Sequence, residues 1–491
     1  MKILFINPQG NFDPKDSYLT QHPDFGGQLV YVKETAKALA NMGHQVDIVT
    51  RKIIDQNWVG FESEKDSYPD SQNLRIIRID FGGNKFLAKE ELWPHINEYV
   101  DNIVDFYNRE GTKIDFITSH YGDGGIAAAL LSDKLNVPYS FTGHSLGAQK
   151  LEKMLDSNEN INDLNEKYNF NIRLSADRIS MNRSSVNIVS TSQERYEQYS
   201  HNAYKDIVDT KDDNKFKIIT PGVNLKIFNE NLTKEQKEET RDFKNFIERD
   251  ITNNRTNLPF IVASSRLEVK KNHEGIIKAY ANNKELQEKC NLMFVIRGVK
   301  NPYEDYSFMR TEERKILDLL MSYIDKYNLK GKICFIDIGS QQSLAVLYKY
   351  LSRRKSIFAL TSLYEPFGLA PLEAMACGNP AVVTKNGGPQ EIFVENNEKF
   401  GRLVDPFDHL DIANGLLEVL SDWDYYKSQA VKRVLSKYTW ESTAKMYLAE
   451  MEKKIKTPYF SNIKEIENIG DFIDHISLNE LSKYFNTRVP V

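Results

Sequence analysis

Short apolar runs, each closed by turn-forming residues, alternate along this chain with longer segments of helical period, and the alternation begins twice. This arrangement constrains the fold most, because strand and helix in regular alternation build parallel sheets covered on both faces. In the first series residues 2–7, 45–50, 74–79, 114–119, 139–142, 186–190 and 216–220 read as strands. Between them residues 28–42 set Leu29, Val32, Ala36 and Leu39 on one helical face and stop at Gly43, a residue suited to a left-handed cap. Pro94 opens a second helix whose Ile96, Val100, Ile103 and Tyr107 share a face. A lysine- and glutamate-rich stretch at 229–257 follows and reads as exposed helix or linker. The pattern then restarts, with strands expected at 260–264, 292–296, 333–338, 357–361, 381–384 and 402–404. The expected fold is α/β, with two doubly wound lobes facing across a cleft. The lobes are expected at 1–222 and 223–438, followed by a crossover helix at 439–456 and an amphipathic tail at 457–491, a surface docking segment or a partly disordered end.

Charge and composition exclude several classes. Against 64 Lys and Arg stand 69 Asp and Glu, a net charge of −5, so nothing calls for a nucleic-acid or anionic-membrane partner and any phosphate chemistry must be local. No apolar run approaches the roughly 18–20 residues of a membrane span, and the first seven residues read as a buried strand and not as a leader. Three cysteines without CxxC spacing, and nine histidines without metal-binding spacing, suit a reducing cytoplasmic compartment and no structural metal.

The first strand is followed by PQGNF where a dinucleotide-binding lobe would need GxGxxG, which argues against a nicotinamide enzyme. Instead Gly26-Gly27-Gln28 begins the first helix, where uncapped amides can accept an anion; two glycines for a tight turn is an equal reading. In the second series Arg266 follows a strand and Lys271 comes five residues later, with Arg297 at the end of the next strand. Such cations suit a diphosphate whose charge grows as its bond breaks, although a solvated basic turn has the same composition. Glu365 and Glu373 flank Pro366, Gly368 and Pro371, the first in a loop and the second in the helix it leads into, and each is placed to accept hydrogen bonds from a polyol. Asn386 to Pro389 repeats the glycine-rich turn, offering more amides. In the first series His144, Ser145 and Lys150 follow a strand. The one D-x-D, at Asp422 and Asp424, lies in a polar helical stretch and reads as surface, so metal-dependent transfer is not supported.

These motifs, DFGGQLVYV, FTGHSLGAQK, SRLEVKKN and EPFGLAPLE, resemble those of the retaining GT-B glycosyltransferases, and over about residues 1–455 the wording is similar to the bacterial sucrose-phosphate synthases among them. The resemblance implies a GT-B fold of two Rossmann-like lobes. It also implies transfer of glucose from UDP-glucose, a co-substrate, to fructose 6-phosphate, without a cofactor. Carried over by position, Arg266 and Lys271 would hold the donor diphosphate, Glu365 the transferred sugar's hydroxyls and Glu373 the ribose. His144 would line the donor sugar, and Gly27, Arg297, Leu369 and Ala370 would complete the donor site. Gly26, Gln28, Lys89, Tyr121, Ser145, Lys150 and Arg173 would receive the acceptor. A phosphate of about −2 charge explains a convergence of Lys89, Lys150 and Arg173 that neutral fructose would not need. The chain departs from the family at Asn171-Ile172, where consecutive basic residues are common, and in the segment from Lys456 onward, which has no counterpart. It also lacks an appended phosphatase, so a separate sucrose-phosphate phosphatase would be a partner. Alternatives are a GDP-mannose-dependent relative, sucrose synthase, and a non-catalytic nucleotide-sugar sensor.

Overall fold

The computed structural model describes residues 1–18, 22, 24–155, 159–457, 472–474 and 476–485. They form two compact units, one made of 1–220 with 440–491 and the other of 221–439.

The first unit is built on eight strands: β1 Lys2–Ile6, β2 Gln45–Arg51, β3 Lys65–Ser67, β4 Leu74–Ile79, β5 Phe116–His120, β6 Tyr139–Thr142, β7 Val186–Val189 and β8 Phe216–Ile218. Their order across the sheet is β3-β4-β2-β1-β5-β6-β7-β8, parallel throughout except for β3. Successive side chains of a strand face opposite ways, and β1 shows it: Ile3 and Phe5 enter one apolar layer while Leu4 and Ile6 enter the other. Such two-sided burial is why the strands read as unbroken apolar runs.

The second unit holds β9 Phe260–Ser264, β10 Asn291–Ile296, β11 Ile333–Asp337, β12 Ile357–Leu360, β13 Ala381–Thr384, a hairpin of β14 Val394–Glu395 with β15 Glu398–Lys399, and β16 Arg402–Val404. Its parallel sheet runs β11-β10-β9-β12-β13-β16. In each sheet the winding reverses once, between β1 and β5 in the first and between β9 and β12 in the second. Open α/β sheets bind ligands beyond the carboxyl ends of the strands at such a reversal.

The structure sharpens the sequence reading in three places. The stretch at 229–257 is no bare linker: it contains the helix Lys234–Asp250, and Phe243, Ile247 and Ile251, four residues apart, are buried in the second unit's core. The edge strand β3 and the β14–β15 hairpin went unread because their residues are mostly polar; the hairpin turns through Asn396 and Asn397, both at positive φ. In the tail, Phe472, Ile476 and Leu481 are buried in the first unit. The tail reading for 458–471, 475 and 486–491 lies outside the described residues. No helix among the described residues is long and apolar enough to cross a membrane.

Candidate active site

In the second unit, Lys271 ends a short 3₁₀ turn, Val269–Lys271, in the loop after β9. The next residue, Asn272, adopts φ 53° and ties that loop to its neighbours. Its side-chain oxygen accepts from the amide of Gly275 at 3.0 Å, capping the helix His273–Ala281, while its Nδ2 donates to the carbonyls of Thr361 at 3.0 Å and Pro406 at 2.8 Å. Thr361 follows β12, so the loops on either side of the reversal are stapled together. The result is an ion pair of Lys271 with Glu365, Nζ to Oε2 at 2.8 Å, on side chains 17% and 13% exposed. The backbone of Glu365 is held from the other side, its N–H donating to Asn386 and its carbonyl accepting from the Gly388 amide. Gly387, at φ 102°, must be glycine, because a Cβ there would overlap the Glu365 carbonyl oxygen. This corrects the expectation for the Asn386–Pro389 turn: its Gly388 amide is spent on Glu365.

Glu373 lies on the helix Leu369–Ala376, which begins at Gly368 with φ 110° and has no side-chain cap and no acid in its first turn, so its own first turn offers the amides of Leu369 and Ala370 no carboxylate. Burial pushes the Glu373 carboxyl up to about 8, and no cation pairs with it among the described residues. Arg266 is 75% exposed and bridges Glu268 at 3.0 Å. Arg297 stands exposed beyond β10, the strand beside β9.

In the first unit the loop after β1 leads to Gly26, the extended residue before the helix Gly27–Asn41, which has no side-chain cap. Neither glycine is left-handed, and a Cβ at Gly27 would meet nothing within 4 Å, so a tight turn does not explain the pair. Gln28 is committed at both ends of its amide, donating to Asn7 at 2.6 Å and accepting from Gln9 at 2.8 Å. It braces the β1 loop, and a ligand would have to compete for it.

Lys89, Tyr121, Lys150 and Arg173 line one pocket of this unit together with Tyr168 and Phe170. Lys89 pairs with the buried Asp24 at 2.7 Å and with Glu90, which also lines the pocket, at 3.4 Å; burial opposes its charge, but these carboxylates together hold the ammonium above its ordinary pKa. Arg173 is buried, with Nε donating to Asp177 at 3.1 Å, a further contact to the Ser145 carbonyl, and its guanidinium 3.4 Å from the centre of the Tyr121 ring. Lys150 has no carboxylate partner among the described residues. It lies 4.8 Å from the Tyr168 ring centre, and burial together with Lys89 lowers its pKa. It is the cation of this pocket best placed to take up a new anion.

His144, at φ 55°, stacks on His120 with ring centres 5.1 Å apart, and its Nε2 lies 2.9 Å from His120 Nδ1. One proton serves that contact, so the two tautomers are coupled. Burial drives the His144 pKa to about 3 and that of His120 well below the ordinary value, leaving both neutral at pH 7. The edge of Tyr31 packs on His144 at 4.9 Å, and Tyr31 hydrogen-bonds Tyr447 at 3.1 Å.

Sequence reasoning missed the supporting partners Asp24, His120 and Asp177. Asp177 was the most readable, since it stands four residues beyond Arg173 on the same helix. Asp24 and His120 gave no periodic signal, because loop and strand-end contacts have none.

A family model described as glycosyl transferases group 1 matches residues 244–433, and one described as the sucrose synthase first GT-B domain matches residues 1–251. A probable sucrose-phosphate synthase of Thermosipho melanesiensis is 47% identical over 92% of this chain and 97% of its own length. One from Beta vulgaris is 30% identical over 91% of this chain but only 48% of its own, so the chain spans about half the length of that plant relative. Among solved structures, a sucrose-phosphate synthase from Thermosynechococcus elongatus has a similar fold, with TM-score 0.65 and 22% identity over 94% of this chain and all of that one. Anabaena HepE in complex with UDP follows, with TM-score 0.59 and 16% identity over 92% of this chain and all of that one.

Proposed function

We propose a reaction for this chain from one premise: it belongs to the sucrose-phosphate synthase family and is a GT-B hexosyltransferase. The reaction moves glucose from UDP-glucose to the anomeric hydroxyl of fructose 6-phosphate, giving sucrose 6-phosphate and UDP with retained configuration. The bond from the glucose anomeric carbon to the diphosphate breaks, the bond to the fructose oxygen forms on the same face, and the acceptor proton passes to the departing diphosphate. No protein nucleophile is needed. Lys271 and Arg266 neutralise charge that grows on the leaving group, an effect typically worth about 3–4 kcal/mol per well-placed donor. Arg297 and the amides of Leu369, Ala370 and Gly27 complete the electrostatic shell. Glu365 accepts hydrogen bonds from the glucose hydroxyls and Glu373 from the ribose, while neutral His144 lines the sugar.

The observation that carries this reading is the convergence of Lys89, Lys150 and Arg173 in one pocket, where Lys150 has no carboxylate at ion-pair distance among the described residues. Asp24 and Glu90 already attend Lys89, and Asp177 attends Arg173, so the charge a phosphorylated sugar would complete is that of Lys150, with the two paired cations adding hydrogen-bond donors. Gly26, Gln28, Tyr121 and Ser145 then attend the sugar ring. A second reading, transfer to unphosphorylated fructose, is favoured by the match of residues 1–251 to the sucrose synthase model; it leaves Lys150 without a task. The reading places the enzyme in the cytoplasm, where a separate phosphatase would consume the product.

The test is a turnover matrix of UDP-glucose, ADP-glucose and GDP-mannose against fructose and fructose 6-phosphate, with products identified by mass. Turnover confined to UDP-glucose with fructose 6-phosphate is expected. Preference for GDP-mannose or for fructose would overturn the donor or the acceptor assignment respectively, and an empty matrix would favour a nucleotide-sugar sensor.

A further inference from the structure

We propose that the C-terminal residues 472–474 and 476–485 brace the acceptor pocket, so that affinity for the phosphorylated acceptor depends on side chains that never touch it. The inference rests on the acceptor assignment above and goes beyond it.

The segment consists of a 3₁₀ turn, Phe472–Asp474, and the helix Leu478–Tyr484. Ser477 starts that helix with a capping box, its amide donating to Glu480 at 2.9 Å and its hydroxyl accepting from the Glu480 amide at 3.3 Å. Seven helical residues do not hold together alone in water. What holds these is burial: Phe472 is 1% exposed, Ile476 3% and Leu481 0%, and they share an apolar cluster with Trp93, Phe170 and Leu174.

Two routes lead from this cluster to the pocket. The first runs through the helix Phe170–Arg183. Asn171 and Arg178, seven residues apart, lie on one face and meet the C-terminal segment: Asn171 Nδ2 donates to the Ile476 carbonyl at 3.5 Å, and the Arg178 guanidinium lies 5.5 Å from the centre of the Tyr484 ring. At about 100° per residue Arg173 lies about 160° round from Asn171 and Asp177 about 120°, so both are turned away from the Asn171 contact. There they carry the pocket's arginine and its counter-ion. The helix is thus held between the C-terminal segment and the pocket. The second route is Trp93, which meets the Phe472 ring edge-on at 6.2 Å and itself lines the pocket. Losing the segment takes packing from one wall and from one face of the helix bearing another, a helix that Arg178 still ties to Asp206 at 2.7 Å, while the residues around Lys271 and Glu365 belong to the other compact unit.

The experiment compares the full chain with Phe472→Ala/Leu481→Ala and with a chain ending at residue 471. Michaelis constants for fructose 6-phosphate and UDP-glucose are measured for each, together with amide hydrogen exchange. We expect the fructose 6-phosphate KM to rise about tenfold, the UDP-glucose KM and the kcat at saturating acceptor to stay within about twofold, and exchange to quicken about tenfold in Phe170–Arg183 but not in Gly27–Asn41. Restoring bulk with Phe472→Leu should recover most of the acceptor KM. Unchanged constants and exchange would overturn the brace, as would a parallel loss of donor and acceptor affinity, which signals general loosening. If the full chain fails to use fructose 6-phosphate at all, it is the acceptor assignment that falls; the exchange pattern still decides whether the segment holds this helix.

Discussion

The Lys271 ammonium sits 2.8 Å from Oε2 of Glu365, so the cation proposed for the departing diphosphate and the carboxylate proposed for the transferred sugar are partners of each other. Each side chain keeps the other extended and oriented, which lowers the ordering that donor binding must impose.

Lys271→Ala should therefore do two things: remove a diphosphate contact and leave Glu365 half-buried without its cation. We expect kcat to fall by about 10²–10³. In Lys271→Ala/Glu365→Gln the two losses should be clearly less than additive, since the residues act as a unit. Steady-state kinetics of the full double-mutant cycle checks this.

Two cations of the proposed acceptor pocket, Lys150 and Arg173, should respond differently although they share it. Lys150→Met removes an ammonium with no carboxylate partner among the described residues, so it should raise the KM for fructose 6-phosphate about 10–100-fold with little loss of stability. Arg173→Ala strands the buried Asp177, and breaking a buried pair costs about 3–5 kcal/mol, so a fall in thermal midpoint should accompany its KM effect. Thermal melts run beside the kinetics separate the two.

Glu373 gives a pH dependence of unusual sign for a carboxylate. Its folded-state pKa, about 8, lies above the ordinary 4.5, so between these values the folded chain keeps a proton that the unfolded chain releases. This contribution is fully present below about pH 4.5 and is lost as pH rises through 8. Glu373→Gln should flatten that slope, so that the urea midpoint gap between variant and parent widens in the variant's favour from pH 5 to pH 8.

His120→Phe should keep the ring stack on His144 and delete the 2.9 Å contact that sets its tautomer. A hydrogen bond worth about 1 kcal/mol corresponds to a roughly fivefold loss of kcat. The pair is neutral at pH 7, so no rate limb near pH 6.5 should belong to it.

Much of this was legible beforehand for one reason: strands buried on both faces advertise themselves. β4, β6, β9, β13 and β16 begin and end where the apolar runs do. Loops at the sheet reversals were legible where glycine or proline marks them, as around Glu365 and Gly27. Contacts between remote residues were hidden, because nothing in the spelling of Lys89 announces Asp24, 65 positions earlier. Phe243 and Ile247 were hidden differently: charged neighbours diluted an amphipathic stripe that emerges only at a spacing of four.

The unit of 221–439 is inserted into the other one, and Tyr447 and Trp440, added after it, join the apolar layer of Phe5 and Tyr31. During synthesis the ribosome must therefore emit some 220 residues, about 10–40 s of translation at usual rates, before the amino-terminal unit can receive the helix Trp440–Lys456. For that interval the apolar flank of Gly27–Asn41 that Trp440 and Tyr447 later join waits uncovered on the nascent chain.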